Sequence, residues 1–316
     1  RAQFDADGFI VLERLIEPEL CIQLQARLEK VLRGQFDVAA GRPDKAPKFN
    51  ADPRSKPGKV PPPLGGPSKQ TLQLINIWKA DRLFRQLVTS RRLAKAVAEL
   101  GGWESGARIA NDQVWAKPPG AAPLTFHRDS AYFDFVPADV ITVWIALDDM
   151  EPILGPLEYV RGSHHWEDGR VGSANQFFDA RDRFALLYDA ARREGVADPR
   201  AELQVSQVCV RAGGCGIHNG RLWHGSDRNA SPTKPRRGVG IHFVPADAVL
   251  REAEGRTLAH RLNRACLDEA GSHVAPSPNE LHPALFPVTY RPTSGDTCPF
   301  AAQASEPSPP YSDCEA

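Results

Sequence analysis

Between about residues 107 and 245 the chain breaks into short runs rich in β-branched and aromatic residues, separated by turns. This rhythm constrains the fold more than any other feature of the sequence. Strands are expected over about 108–116, 124–136, 140–147, 157–160, 203–210, 216–223 and 238–244. That many short strands suits a jelly roll, a mainly β architecture with helices packed around it.

The flanking segments read as helices and loops. Near the N-terminus a turn at 4–8 feeds a short apolar strand, and Pro18 suits the first turn of a helix. Leu20, Leu24, Leu28 and Val31 form its apolar stripe, and Gly34 suits its stop. Residues 41–68 hold eight prolines and few apolar residues, which predicts a long loop, either solvated or a lid over a site. Residues 71–78 read as a strand and 81–100 as two helices, the second capped by Ser90 and stopped by Gly101 and Gly102. Helices are also expected within 175–195 and over 247–270. The Pro-, Ser- and Ala-rich 294–316 reads as a disordered tail. The organisation expected is therefore one domain over 1–293 with its jelly-roll core at about 107–245.

The partner classes are narrowed by charge. With 39 basic and 39 acidic residues the chain lacks the basic excess of a general nucleic-acid or membrane-surface binder. Small molecules or a specific protein remain. No apolar run reaches the length of a membrane span, and no targeting segment is visible, which favours the cytoplasm, although the chain starts at Arg1. The six cysteines show no Cys-x-x-Cys spacing and read as reduced thiols; Cys298 and Cys314 could pair in an oxidising compartment.

The candidate chemistry lies in 124–136. On a strand, His127 and Asp129 share a face and Arg128 points away, so an imidazole and a carboxylate could grip one metal ion. The triplet alone is a weak signal. His224, between Trp223 and a Gly-Ser turn, offers a third ligand, and two His plus one carboxylate make the facial triad of non-haem Fe(II) oxygenases. In 140–147, Ile141, Val143, Ile145 and Leu147 form a plain packing face. Val140, Thr142, Trp144 and Ala146 form a mixed face suited to a cavity, unless Trp144 is simply core.

Taken in order, these pieces resemble the phytanoyl-CoA dioxygenase family. They are Asp7-Gly8-Phe9-Ile10-Val11 with the following helix; Asp112-Gln113 with Lys117-Pro118-Pro119-Gly120; His127-Arg128-Asp129; Trp144-Ile145-Ala146-Leu147-Asp148-Asp149; Gly155-Pro156-Leu157 with Gly162-Ser163-His164; and Trp223-His224-Gly225-Ser226 with Arg236. The resemblance implies a double-stranded β-helix, a cupin-like jelly roll. It also implies Fe(II) held by His127, Asp129 and His224, with 2-oxoglutarate and dioxygen as cosubstrates, and hydroxylation of a small organic or acyl-type substrate with release of succinate and carbon dioxide. Arg236 and Ser226 would take the far carboxylate of 2-oxoglutarate. Gln113, Thr142 and Trp144 are further candidates for that pocket, and Lys117 a weaker one. The chain departs from many relatives at Arg128, where Gln is common, and at Leu154, where a polar residue is common.

Two other functions fit the same residues: a zinc hydrolase on the His, Asp and His set, or a catalytically silent jelly-roll binding module. Halogenase chemistry needs the coordination position that Asp129 fills. His164 and His165 read as structural, His218 as a pocket or core histidine, and Phe126 and Phe133 as packing residues. Counting by twos along 236–243 puts Arg236, Gly238, Gly240 and His242 on one face and Arg237, Val239, Ile241 and Phe243 on the other.

Overall fold

A computed structural model describes residues 1–38, 41–44, 71–167, 182–251, 258–269 and 279–293. In chain order the elements are α1 (Ala2–Asp7), β1 (Phe9–Leu12), α2 (Pro18–Leu32), β2 (Leu72–Ile75), α3 (Arg82–Val88), α4 (Arg91–Gly101), β3 (Ala107–Lys117) and β4 (Leu124–His127). There follow β5 (Phe135–Val136), β6 (Ile141–Ala146), β7 (Leu157–Val160), α5 (Ala185–Arg193), α6 (Pro199–Glu202), β8 (Val205–Gln207) and β9 (Cys215–Asn219). The last are β10 (His224–Ser226), β11 (Arg236–Pro245), β12 (Val249–Leu250), α7 (Leu258–Glu269) and β13 (Val288–Tyr290). The expected 41–68 loop beyond residue 44, the 294–316 tail and the Cys298 and Cys314 pair lie outside the described residues.

A large antiparallel sheet runs in the order β1, β9, β6, β11, β3, β13, with β2 also paired to β3. A smaller sheet runs β4, β10, β7, β8. This is the expected jelly roll. The long strands follow the period of two: Ile141, Val143, Ile145, Val239, Ile241 and Phe243 join one core with Leu24, Leu28 and Val31 of α2 and with α3 and α4. The opposite face of the large sheet carries Trp144 and Ala146 into a second core with Leu157, Tyr159 and Leu222 from the smaller sheet and its turns. Caps stop the helices as their sequences require. Asp81 accepts from Leu83 N and Phe84 N, Ser90 accepts from Leu93 N, and Gly102 closes α4 at φ 69°.

Several expected elements differ. The expected strand at 71–78 ends at Ile75, where Asn76 leads into a 3-10 turn over Ile77–Lys79, and of the expected strand at 203–210 only Val205–Gln207 is strand. The expected strand at 124–136 pairs with β10 only as far as His127, then Ser130 N donates to Gly220 O and the chain enters a 3-10 turn over Asp129–Tyr132. Only Phe135–Val136 is strand again, paired with β12. The expected strand at 216–223 ends at Asn219, where Gly220 N donates to Val140 O, and the chain crosses to the smaller sheet as β10. The expected helix at 247–270 begins instead with β12, and among the described residues its helical part is Leu258–Glu269. At the N-terminus, the turn at Gly8 is the left-handed cap of α1.

Candidate metal centre

The two sheets face each other across His127 and His224, which are paired neighbours on β4 and β10. Asp129 opens the 3-10 turn two residues on, and its Oδ1 lies 3.9 Å from His127 Nε2 and 3.7 Å from His224 Nε2. One ligand atom from each of the three lies within 4.8 Å of the others, and no other such group occurs among the described residues. These separations are too long for hydrogen bonds and leave room for an ion between the donors.

The donor chemistry fits a divalent transition metal. His127 Nδ1 donates to Thr125 O at 2.9 Å and His224 Nδ1 donates to Leu222 O at 3.0 Å. Each ring therefore carries its proton on the nitrogen away from the site and turns the Nε2 lone pair inward. Burial, reinforced by His224, holds the His127 pKa well below its ordinary value, which keeps it a neutral ligand. Burial works to raise the Asp129 pKa, but His224, His242 and His218 outweigh it and hold the carboxyl well below its usual range.

Beside the triad lies a second polar cluster. Arg236 is 1% exposed; its guanidinium sits 4.7 Å over the Trp144 ring, and its Nε and Nη2 have no hydrogen-bond partner. Lys117, paired with Arg236 across β3 and β11, is fully buried and donates from Nζ to Ser226 Oγ at 2.8 Å and to Asp227 O. Burial, then repulsion by Arg236, lowers the Lys117 pKa well below its ordinary value, and burial lowers that of Arg236 to about 10. A buried guanidinium with open donors, with Lys117 beside it, is suited to a carboxylate.

The candidates for the 2-oxoglutarate pocket fall in different places. Arg236, Ser226, Trp144 and Lys117 come together. Thr142 instead donates to Asp129 Oδ2 at 2.7 Å. Gln113 shares the site face of β3 but pairs with Gly240, away from Arg236, and accepts from Gln73 Nε2 at 2.7 Å. His242 and Arg236 share the inward face of β11, whereas Arg237 pairs with Asp148 and Glu29 behind the sheet. His164 contacts the Asp5 carbonyl at the N-terminal helix. Phe126 is fully buried, and Phe133, half-buried, packs against a third core that includes Phe135, with its ring also 5.1 Å from His242.

Sequence reasoning missed Tyr159, whose hydroxyl meets His218 Nδ1 at 2.9 Å, and the bond from His218 Nε2 to Asp129 Oδ2 at 3.1 Å. The only signal was parity: Leu157 and Tyr159 alternate onto the inner face of β7. Lys117 was underrated because a lysine after a strand reads as solvated. Among the described residues Cys21, Cys209 and Cys215 are free thiols, and no helix is long and apolar enough to cross a membrane.

A family model described as Phytanoyl-CoA dioxygenase matches residues 4–238. The chain belongs to the phytanoyl-CoA dioxygenase family. It is 30% identical over 144 residues to the "Probable alpha-ketoglutarate-dependent hypophosphite dioxygenase" of Stutzerimonas stutzeri, a match spanning 45% of this chain and 46% of that protein. It is 26% identical over 246 residues to the ectoine dioxygenase of Streptomyces coelicolor, covering 76% of this chain and 74% of that one. Among solved structures, the non-heme alpha ketoglutarate dependent epimerase SnoN from nogalamycin biosynthesis superposes with a TM-score of 0.61 at 19% identity, over 92% of this chain and 96% of that one. EctD from S. alaskensis, with 2-oxoglutarate and 5-hydroxyectoine, superposes at 0.57 and 21% identity, over 79% and 76%. At such identity these two likenesses are of fold. As a family member the protein is an iron- and 2-oxoglutarate-dependent oxygenase.

Proposed function

We propose that the protein hydroxylates a small organic or acyl-type substrate, coupling the reaction to conversion of 2-oxoglutarate to succinate and carbon dioxide. The observation that carries this reading is Arg236, a buried guanidinium whose Nε and Nη2 are unpartnered, on the same face of the large sheet as the groups that contact the triad. A buried cation without an anion is costly, so the site is built to receive a carboxylate. The family match favours iron and 2-oxoglutarate over a zinc hydrolase on the same triad, and a silent binding module has no use for the triad.

His127, Asp129 and His224 would hold Fe(II), which when bound supplies the redox chemistry that activates dioxygen with 2-oxoglutarate as co-reductant. Arg236 orients 2-oxoglutarate through its far carboxylate, with Lys117 and Ser226 beside it. Trp144, Leu157 and Tyr159 form an apolar wall that excludes water. The test is oxygen-dependent succinate formation by the Fe(II)-loaded protein during a substrate screen. Asp129→Ala and His224→Ala should each abolish it while leaving the fold intact, and unchanged turnover in either would remove the triad from the reaction.

A further inference from the structure

Asp129 presents one oxygen to the triad, and the protein occupies the other. Oδ1 faces His127 and His224, whereas Oδ2 meets Thr142 Oγ1 at 2.7 Å and His218 Nε2 at 3.1 Å, with His242 Nδ1 3.5 Å away. Proton inventory fixes the directions. A carboxylate only accepts, so the single Thr142 hydroxyl proton and a proton on His218 Nε2 both point at Oδ2. Thr142 Oγ1, having no second proton, must then accept from His242 Nδ1 at 2.8 Å. With its proton on Nε2, neutral His218 accepts at Nδ1 from the Tyr159 hydroxyl at 2.9 Å. Every group in the network is buried.

The surrounding backbone accommodates this network. Gly216 pairs with Trp144 on β6, and a Cβ added there would lie 2.4 Å from the Tyr159 hydroxyl oxygen. Glycine at this position is required by the approach of the phenol. The Tyr159 arm enters from the smaller sheet and meets His218 on β9, while the His242 arm comes from β11 through Thr142 on β6.

We propose that Tyr159 with His218, and His242 with Thr142, are two positioning arms that hold Asp129 as a one-oxygen ligand. Oδ2 stays bonded to the protein, so the carboxylate cannot rotate to chelate the metal with both oxygens and close a position that 2-oxoglutarate needs. This rests on the metal reading above.

The test is anaerobic titration of the metal-free protein with Co(II) alone, then with 2-oxoglutarate, followed by ligand-field absorption. Wild-type protein should bind one Co(II) per chain, and His224→Ala should lose it. Failure of the wild type to bind would overturn the metal site and the arms with it. Given binding, Tyr159→Phe and Thr142→Val should each weaken Co(II) affinity by about 10- to 100-fold and change the spectrum. Thr142→Ser should restore both. Gly216→Ala keeps every polar group but displaces the phenol, so it should reproduce Tyr159→Phe. Wild-type affinity and spectrum in both Tyr159→Phe and Thr142→Val would overturn the arms alone. So would lower melting temperatures of the metal-free variants with the Co(II) spectrum unchanged, the mark of a merely structural role.

Discussion

Arg236 and Arg237 are adjacent in sequence, yet the first lies over Trp144 with open donors and the second is bound to Asp148 and Glu29 behind the sheet. Truncating one member of a buried charge pair costs roughly 2 to 5 kcal/mol, or about thirty-fold to a few thousand-fold in affinity. Arg236→Ala should weaken 2-oxoglutarate binding by that much and Arg237→Ala by only a few-fold, with metal binding kept in both. Anaerobic 2-oxoglutarate titrations of the two variants decide it; a larger loss in Arg237→Ala would refute the assignment. Lys117 adds a pH signature. Burial and Arg236 lower its pKa in the free protein, and a bound carboxylate would raise it again. Binding should therefore take up a proton, and affinity should fall as pH rises through the free-state Lys117 pKa. Calorimetry in two buffers of different ionisation enthalpy would show the uptake in the wild type and its loss in Lys117→Met.

Whole elements separate packing from chemistry. Phe126 of β4 is fully buried with Val160, Leu187 and Trp223, so Phe126→Ala should cost about 3 to 5 kcal/mol in denaturant unfolding. Phe133 is partly exposed beside His242 and should cost much less. Equal losses would mean that Phe133, at the edge of its core, is held as firmly as a fully buried ring. The long strands β3, β6 and β11 were legible in the sequence because each is paired on both sides, so one face meets the helices and the other the site, and residues alternate accordingly. The strands at 124–136 and 216–223 were overextended for a reason that period cannot show. There the chain leaves one sheet for the other, and the crossing is set by long-range bonds such as Ser130 N to Gly220 O and Gly220 N to Val140 O. The same crossing places His218 and His224 on facing sheets, with both side chains reaching Asp129. The triad could be picked out by residue type and order; the Tyr159 arm could not, because it exists only once β7 is laid across from β9.

At the scale of the molecule, the site joins the two sheets. His127 and His224 come from the smaller sheet, Arg236 comes from the larger, and Asp129 is bonded to Thr142 and His218 of the larger. A ligand set that spans both sheets exists only in the folded protein, so metal and 2-oxoglutarate should stabilise the whole fold by mass action. A ligand at a hundred times its Kd adds about 2.7 kcal/mol, and about 2 to 4 °C of melting temperature accompanies each kcal/mol in chains of 150 to 250 residues, so several degrees are expected. Co(II) should raise the melting temperature of the wild type, and 2-oxoglutarate should add a further rise that requires the metal, because in the proposed reading its far carboxylate and its metal-facing end would be held by different parts of one site. His224→Ala should lose both rises. Arg236→Ala should keep the Co(II) rise and lose the 2-oxoglutarate increment. Melting curves of the three proteins with each ligand alone and with both measure this directly. A full 2-oxoglutarate increment in Arg236→Ala would place the carboxylate elsewhere, and an undiminished Co(II) rise in His224→Ala would place the metal elsewhere.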